Sequence, residues 1–139
     1  MAGSFSDYTE NKVLDEIFGA TDFVAPATVY VALFTARGTI AQADANTTFT
    51  EVTGGSYVRK SVTNNATNFP AASAGSKSNG TAVTFVTATA DWGTVTCFGI
   101  YDASSAGNLI AWADLTQNKT ISNGDTASFA ISALTITLD

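Results

Sequence analysis

The longest clean alternation of apolar and polar residues lies at the end of the chain, between Asn123 and Asp139. Leu134, Ile136 and Leu138 are apolar there, and Thr135 and Thr137 are polar. A period of two sends successive side chains to opposite faces of a sheet, so this run predicts a half-buried antiparallel strand. Asp139 lies one residue past the last apolar position, which places the C-terminus inside or beside the expected fold. Further upstream, Val29, Val31 and Leu33 alternate with Tyr30, Ala32 and Phe34. Both sets are largely apolar, as in a central strand covered on both sides. Thr81 to Val86 reads as a strand with Val83 and Phe85 inward. Leu109 to Leu115 reads as another, with Trp112 opposite Ala111 and Ala113. Gly93 to Tyr101 is also strand-like, but its parity slips. Val95 and Cys97 fall on one face, Phe98 and Ile100 on the other, and the neighbouring Gly99 predicts a β-bulge at that point.

Near the start the period changes. Val13, Leu14, Ile17 and Phe18 form one apolar stripe at helical spacing, with Glu10, Asn11, Lys12, Asp15 and Glu16 opposite. Ser6 or Asp7 can cap this helix, Glu10 stands at capping-box distance from Asp7, and Gly19 supplies a left-handed stop. The predicted helix spans residues 6–18 and is short enough to need a docking surface. Residues 36–53 form a long polar connection with one edge-strand candidate at Phe49 to Val52. Gly54-Gly55 then punctuates, and SYVRKSV is the next strand. Residues 64–78, with Pro70 and Gly75, read as a second long surface loop, long enough to suggest a docked or functional segment. Asp102 to Asn108 is a turn, and Asn123-Gly124-Asp125 favours a two-residue hairpin. About seven or eight short strands punctuated by turns define an all-β chain, an antiparallel β-sandwich or jelly-roll-like barrel with one short N-terminal helix. Residues 1–139 form a single domain in this reading.

Composition narrows the function. Apolar residues make up 45% of the chain and charged residues 13%, so the surface is built from threonine, serine, alanine and asparagine rather than ions. The net charge is −6, and the basic residues Lys12, Arg37, Arg59, Lys60, Lys77 and Lys119 are spread along the chain, which argues against phosphate-driven binding of nucleic acid and against anionic membranes. No run of about 18 apolar residues could span a bilayer, and no basic segment with an apolar core opens the chain. A soluble protein made in a cytoplasm is expected.

Candidate chemistry is sparse. There is no histidine, which removes the commonest general base and zinc ligand together. Cys97 is the single cysteine, so it can form neither an internal disulfide nor a thiolate zinc site, and its apolar setting suits a small buried hydrophobe. No calcium-loop spacing, phosphate loop or dinucleotide fingerprint occurs. Asp91, Asp102, Asp114 and Asp125 all fall at strand ends or turns, where aspartate acts structurally. No metal, cofactor or catalytic residue is predicted. The acceptor patterns at Asn46, Asn65, Asn79 and Asn118 follow from the abundance of threonine. Trp92 is expected in the core. Trp112, with Ile110 and Asp114 beside it, suits either the core or an aromatic platform for sugar or partner, which Tyr101 could join.

Several segments together carry a family resemblance: ENKVLDEIFG, APATVYVALFT, GGSYVRKSV, ATADWGTVTCFGIYDASSAGNLIAWADL and KTISNGDTASFAISALTITLD. They span nearly the whole chain, which resembles small virion proteins of tailed bacteriophages, those labelled tail or tail-fibre proteins and the cement proteins on phage heads. The resemblance implies a structural role and carries over no catalytic residue. The favoured expectation is a capsid cement (decoration) protein on the outer head surface that clamps neighbouring copies of the major capsid protein. Its contact elements would be the helix and the 36–53 and 64–78 segments. Self-association into a dimer or trimer is expected with it. The alternative is a tail-associated fibre protein that reads host glycan through exposed aromatics. A glycan hydrolase is the third reading, against which the missing histidine and unpaired carboxylates weigh.

Overall fold

The computed structural model describes residues 3–38 and 49–138. The middle of the 36–53 connection, the acceptor pattern at Asn46 and the terminal Asp139 lie outside the described residues. Ten strands and one helix follow in the order β1 (Gly3–Phe5), α1 (Asp7–Gly19), β2 (Thr28–Arg37), β3 (Phe49–Glu51), β4 (Lys60–Thr63), β5 (Ser76–Ser78), β6 (Val83–Thr87), β7 (Gly93–Tyr101), β8 (Leu109–Ile121), β9 (Thr126–Phe129) and β10 (Thr135–Thr137).

The main sheet runs β1-β8-β7-β2-β3, and β4 also pairs with β2. The apolar run of β2 makes it central, as expected. β7 lies along one side, while the other side is shared by β4 at Thr28–Val31 and β3 at Phe34–Arg37. β5–β10 and β6–β9 form two-stranded ribbons, and every pairing among the described strands is antiparallel. The ribbons make the second layer of an all-β sandwich. Val83, Phe85 and Leu134 from that side close on Val29, Val31, Leu33, Phe98 and Ile100 of the main sheet in the larger core. The outer face of the main sheet holds a smaller, aromatic core of Ala32, Phe34, Phe49, Cys97, Tyr101, Leu109 and Trp112. Both faces of β2 are therefore covered.

Gly99 and Gly55 are among the glycines that permit close approaches a side chain would block. A Cβ on Gly99 would stand 2.7 Å from the ring of Phe34 and 2.9 Å from Leu109, so the aromatic core closes down onto bare backbone. Gly55, at φ +55°, sits under the indole of Trp92, whose Nε1 donates to the Gly55 carbonyl at 2.9 Å.

The structure corrects the expected elements at several points. Val95 packs with Phe98 and Ile100 in the larger core, and Cys97 lies with Tyr101 on the opposite face. The register breaks twice, between Val95 and Cys97, opposite residues 115–118 of β8, and between Ile100 and Tyr101, so Gly99 lies between the two irregularities. β8 runs six residues past Leu115, and SYVRKSV is extended only from Lys60. The Asn-Gly turn forms, with Gly124 at φ 92° and the Asp125 amide donating to the Ser122 carbonyl. It joins no hairpin, because β8 belongs to the main sheet and β9 pairs with β6. The helix ends one residue later than predicted, with Ala20 rather than Gly19 in the left-handed conformation. Phe129 and Ile136 are half-buried at the edge of the core.

Candidate functional site

The described residues include no group of three or more carboxylate or thiol side chains placed to hold a metal. The four aspartates that remained as candidate acids are engaged in structure. Asp91 accepts the Asn123 amide, and Asp125 accepts the Ser122 amide. Asp102 accepts both the backbone and the side-chain amide of Asn108, closing the loop between β7 and β8. Asp114 pairs with Arg37 at 3.3 Å. Cys97 is fully buried, and burial raises its thiol pKa, as suits a small core side chain.

The densest polar cluster centres on Arg59. This residue sits where β4 approaches the 102–108 loop, with its side chain almost wholly buried. Nε and Nη2 donate to the two oxygens of Glu51 at 2.9 and 2.8 Å, and Nη1 donates to the carbonyls of Ala103 and Ala106. Burial alone would depress the guanidinium pKa, but the bonds to Glu51 and its negative charge hold it above the ordinary value. Tyr57 donates to Glu51 and accepts the Leu33 amide, and its burial pushes its phenol upward. Every member of the cluster is engaged from inside the protein, so it staples the loop to the sheet rather than presenting a binding surface.

Asn79 is a second polar anchor, unforeseen because its acceptor pattern read as coincidence. It is buried, donates through Nδ2 to the carbonyls of Thr81 and Ala130, and accepts the Leu134 amide. That placement closes it to glycosylation and fixes the approach to β10.

Both tryptophans lie in the core. Trp92 is 4% exposed and packs edge-on to Tyr57 and Phe85. Trp112 is 2% exposed, tilted against Phe49 and capped by Arg37 at 5.1 Å. Tyr101 is fully buried beneath Arg59. The aromatic platform proposed for Trp112 and Tyr101 is therefore absent, and with it the expected sugar groove beside them.

The surface features lie elsewhere. Ser6 and Thr9 tie the first turn of α1 to β8: Ser6 Oγ donates to the Leu109 carbonyl, and Thr9 Oγ1 donates to the Ile110 carbonyl at 2.8 Å. Beyond that turn the apolar stripe faces outward, with Leu14 54%, Ile17 64% and Phe18 82% exposed, followed by exposed Val24. On the flank of the sandwich, two contiguous cavities of about 210 and 170 Å³ share Phe69, Lys77, Ile100 and Ile136 in their walls. They form an apolar groove between residues 64–75, the β5–β10 ribbon and the segment after α1, so the stretch 64–78 expected as a loop ends in strand β5. A third cavity of about 350 Å³ opens where β8 and β9 part, beneath Lys119, Asp125 and Ser128. Its one aromatic, Phe129, packs against Phe85 and Phe98 and offers no stacking face.

The chain is an antiparallel all-β sandwich whose short N-terminal helix exposes an apolar stripe. Residues 4–137 match the family described as podophage GP4 fiber I protein gp80. The match covers nearly the whole chain, so the protein belongs to this family, one of small virion proteins of tailed bacteriophages, and is a phage structural protein. Comparison with curated proteins finds no match.

Proposed function

We propose that this chain is a non-enzymatic fibre component on the outside of a phage particle, held there by protein–protein contact. The family match carries the reading, because it covers residues 4–137 and is described as a fibre protein. The helix and the adjoining groove support it, since they are apolar surfaces that the fold leaves open among the described residues. The missing histidine and the internally engaged aspartates favour attachment over catalysis.

The second reading is the capsid cement protein, bound to the outside of the head and clamping neighbouring major capsid proteins. It is favoured by the shape: the described residues form a sandwich with no repeating shaft. A clamp needs only moderate contact energy per copy, because a shell repeats that contact many times.

Cryo-electron microscopy of whole virions, paired with a deletion of the gene, tests the two. A fibre component gives density on the tail or neck, and its loss lowers adsorption to cells while heads keep their resistance to heat and osmotic shock. Density spread over the capsid, with heads that burst early and adsorb normally, would establish the cement role instead.

A further inference from the structure

We propose that copies of this chain associate head to tail, the apolar stripe of α1 on one copy seating in the apolar groove on the flank of the next. The inference does not depend on which part of the virion the protein occupies. A short amphipathic helix is marginal in water unless its apolar face is covered. Here Leu14, Ile17 and Phe18 are left open because the helix is held by Ser6 and Thr9, which lie on its first turn and away from the stripe. The same chain carries a groove of matching chemistry. Phe5, Phe69, Ile136 and Leu138 line it, and almost no polar surface faces in. Combined cavities of about 210 and 170 Å³ hold a few aliphatic or aromatic side chains, which is what one helix face inserts into a hydrophobic groove.

Charge selects the occupant. The helix carries Asp7, Glu10, Asp15 and Glu16 against a single lysine, Lys12. Two such helices brought face to face would set acid against acid. The groove instead presents Lys77, an exposed residue in the walls of both cavities, whose ammonium donates to the Pro70 carbonyl at 2.8 Å and keeps its positive charge at the lip. Asp15 and Glu16 flank the stripe, Glu16 also accepting the Phe23 amide of its own chain, so a helix seated in the groove brings negative charge to a cation. A contact between two different patches on identical chains is heterologous, and it closes into a ring or continues as a filament.

Sedimentation of the full chain over a wide concentration range, with three variants, tests the inference. Wild type is expected to associate with rising concentration, more weakly at high salt. Phe18→Asp breaks the ridge at an exposed position, and Ala72→Trp fills the groove from its exposed wall; each should be monomeric at tenfold higher concentration with an unchanged melting temperature. Mixing these two should give a dimer that stops at two, since one intact ridge meets one intact groove. Lys77→Glu should weaken association at low salt, and adding Asp15→Lys and Glu16→Lys should restore it. Wild type that stays monomeric throughout would overturn the proposal. So would Ala72→Trp associating as wild type does, which indicates helix-to-helix pairing, or Phe18 cross-linking in virions only to a different protein.

Discussion

The guanidinium of Arg59 lies 3.7 Å from the ring centroid of Tyr101 while its nitrogens hold both carboxylate oxygens of Glu51. One cation thus ties together three parts of the sandwich: β3 through Glu51, the end of β7 through Tyr101, and the 102–108 loop through two carbonyls. Truncation would leave all three sets of partners unmatched in a nearly dry site. Arg59→Ala is expected to cost about 3 kcal/mol, near the lower end for breaking a buried pair because Glu51 is partly exposed. Arg59→Lys should recover only part, since an ammonium cannot make the bidentate contact and reach both loop carbonyls. Chemical denaturation of the two variants checks this, and protease cleavage in the 102–108 loop should rise with the loss.

Tyr101 makes stability fall in alkali. Burial pushes its phenol up to about 12, against an ordinary value near 10 in the unfolded chain, and Arg59 only partly offsets the shift. Above pH 10 the unfolded state has released this proton while the folded state still holds it, so rising pH favours unfolding. The contribution of Tyr101 is intact below about pH 9 and is lost between about pH 10 and 12. Tyr57 is raised in the same direction, also chiefly by burial, and steepens the loss. The Tyr101 hydroxyl has no hydrogen-bond partner, so Tyr101→Phe should be nearly neutral in stability at pH 7 and should flatten the alkaline slope. Melting temperatures of both proteins from pH 7 to 11.5 test it; parallel curves would count against the assignment.

Gly99 should not tolerate even one added carbon. Its Cβ would meet the Phe34 ring at 2.7 Å and Leu109 at 2.9 Å, both fully buried and both enclosed by other core side chains. Gly99→Ala is expected to destabilise by about 1–3 kcal/mol through overpacking, although alanine normally favours an extended backbone over glycine. Equilibrium denaturation reads it directly. The Gly99→Ala, Phe34→Leu double variant should lose less than the sum of the single changes, because the smaller side chain vacates the colliding ring.

Local patterns were legible where short-range physics decides. The two-sided apolar run of β2, the inward pair Val83 and Phe85, the bounds of β7 and a helix cap at Ser6 or Asp7, found at Ser6, follow from side-chain periodicity and backbone chemistry. Partner choice was not legible. Asn123 and Gly124 make the expected turn, yet the pairing of β9 with β6 depends on contacts some forty residues away, which no turn residue encodes. The helix shows the same limit at its surface. Periodicity identifies Leu14, Ile17 and Phe18 as one face, but it cannot say whether that face closes on its own sheet or awaits another surface. Trp112 was ambiguous because its strand neighbours are mixed; the cover supplied by Phe49 and Arg37 comes from distant positions. The Glu51–Arg59–Tyr101 cluster spans three separate segments, and no spacing rule brings them together.

Trp92 anchors the opposite layer and should carry one of the largest single-residue contributions. Its indole fills the space between Tyr57, Phe85 and Gly55, and its Nε1 bonds the Gly55 carbonyl within a turn held at positive φ. Trp92→Ala removes the ring and the bond together and is expected to cost about 3–5 kcal/mol as a large-to-small core change. Trp92→Phe keeps most of the packing but strands the carbonyl, for about 1 kcal/mol from the lost bond plus a further share for the smaller ring. Denaturant titration followed by intrinsic fluorescence separates the steps, since Trp112 continues to report unfolding in both variants. A loss below about 1 kcal/mol for Trp92→Ala would mean that the ring is not a load on the core and that the 54–57 turn is held by its backbone alone.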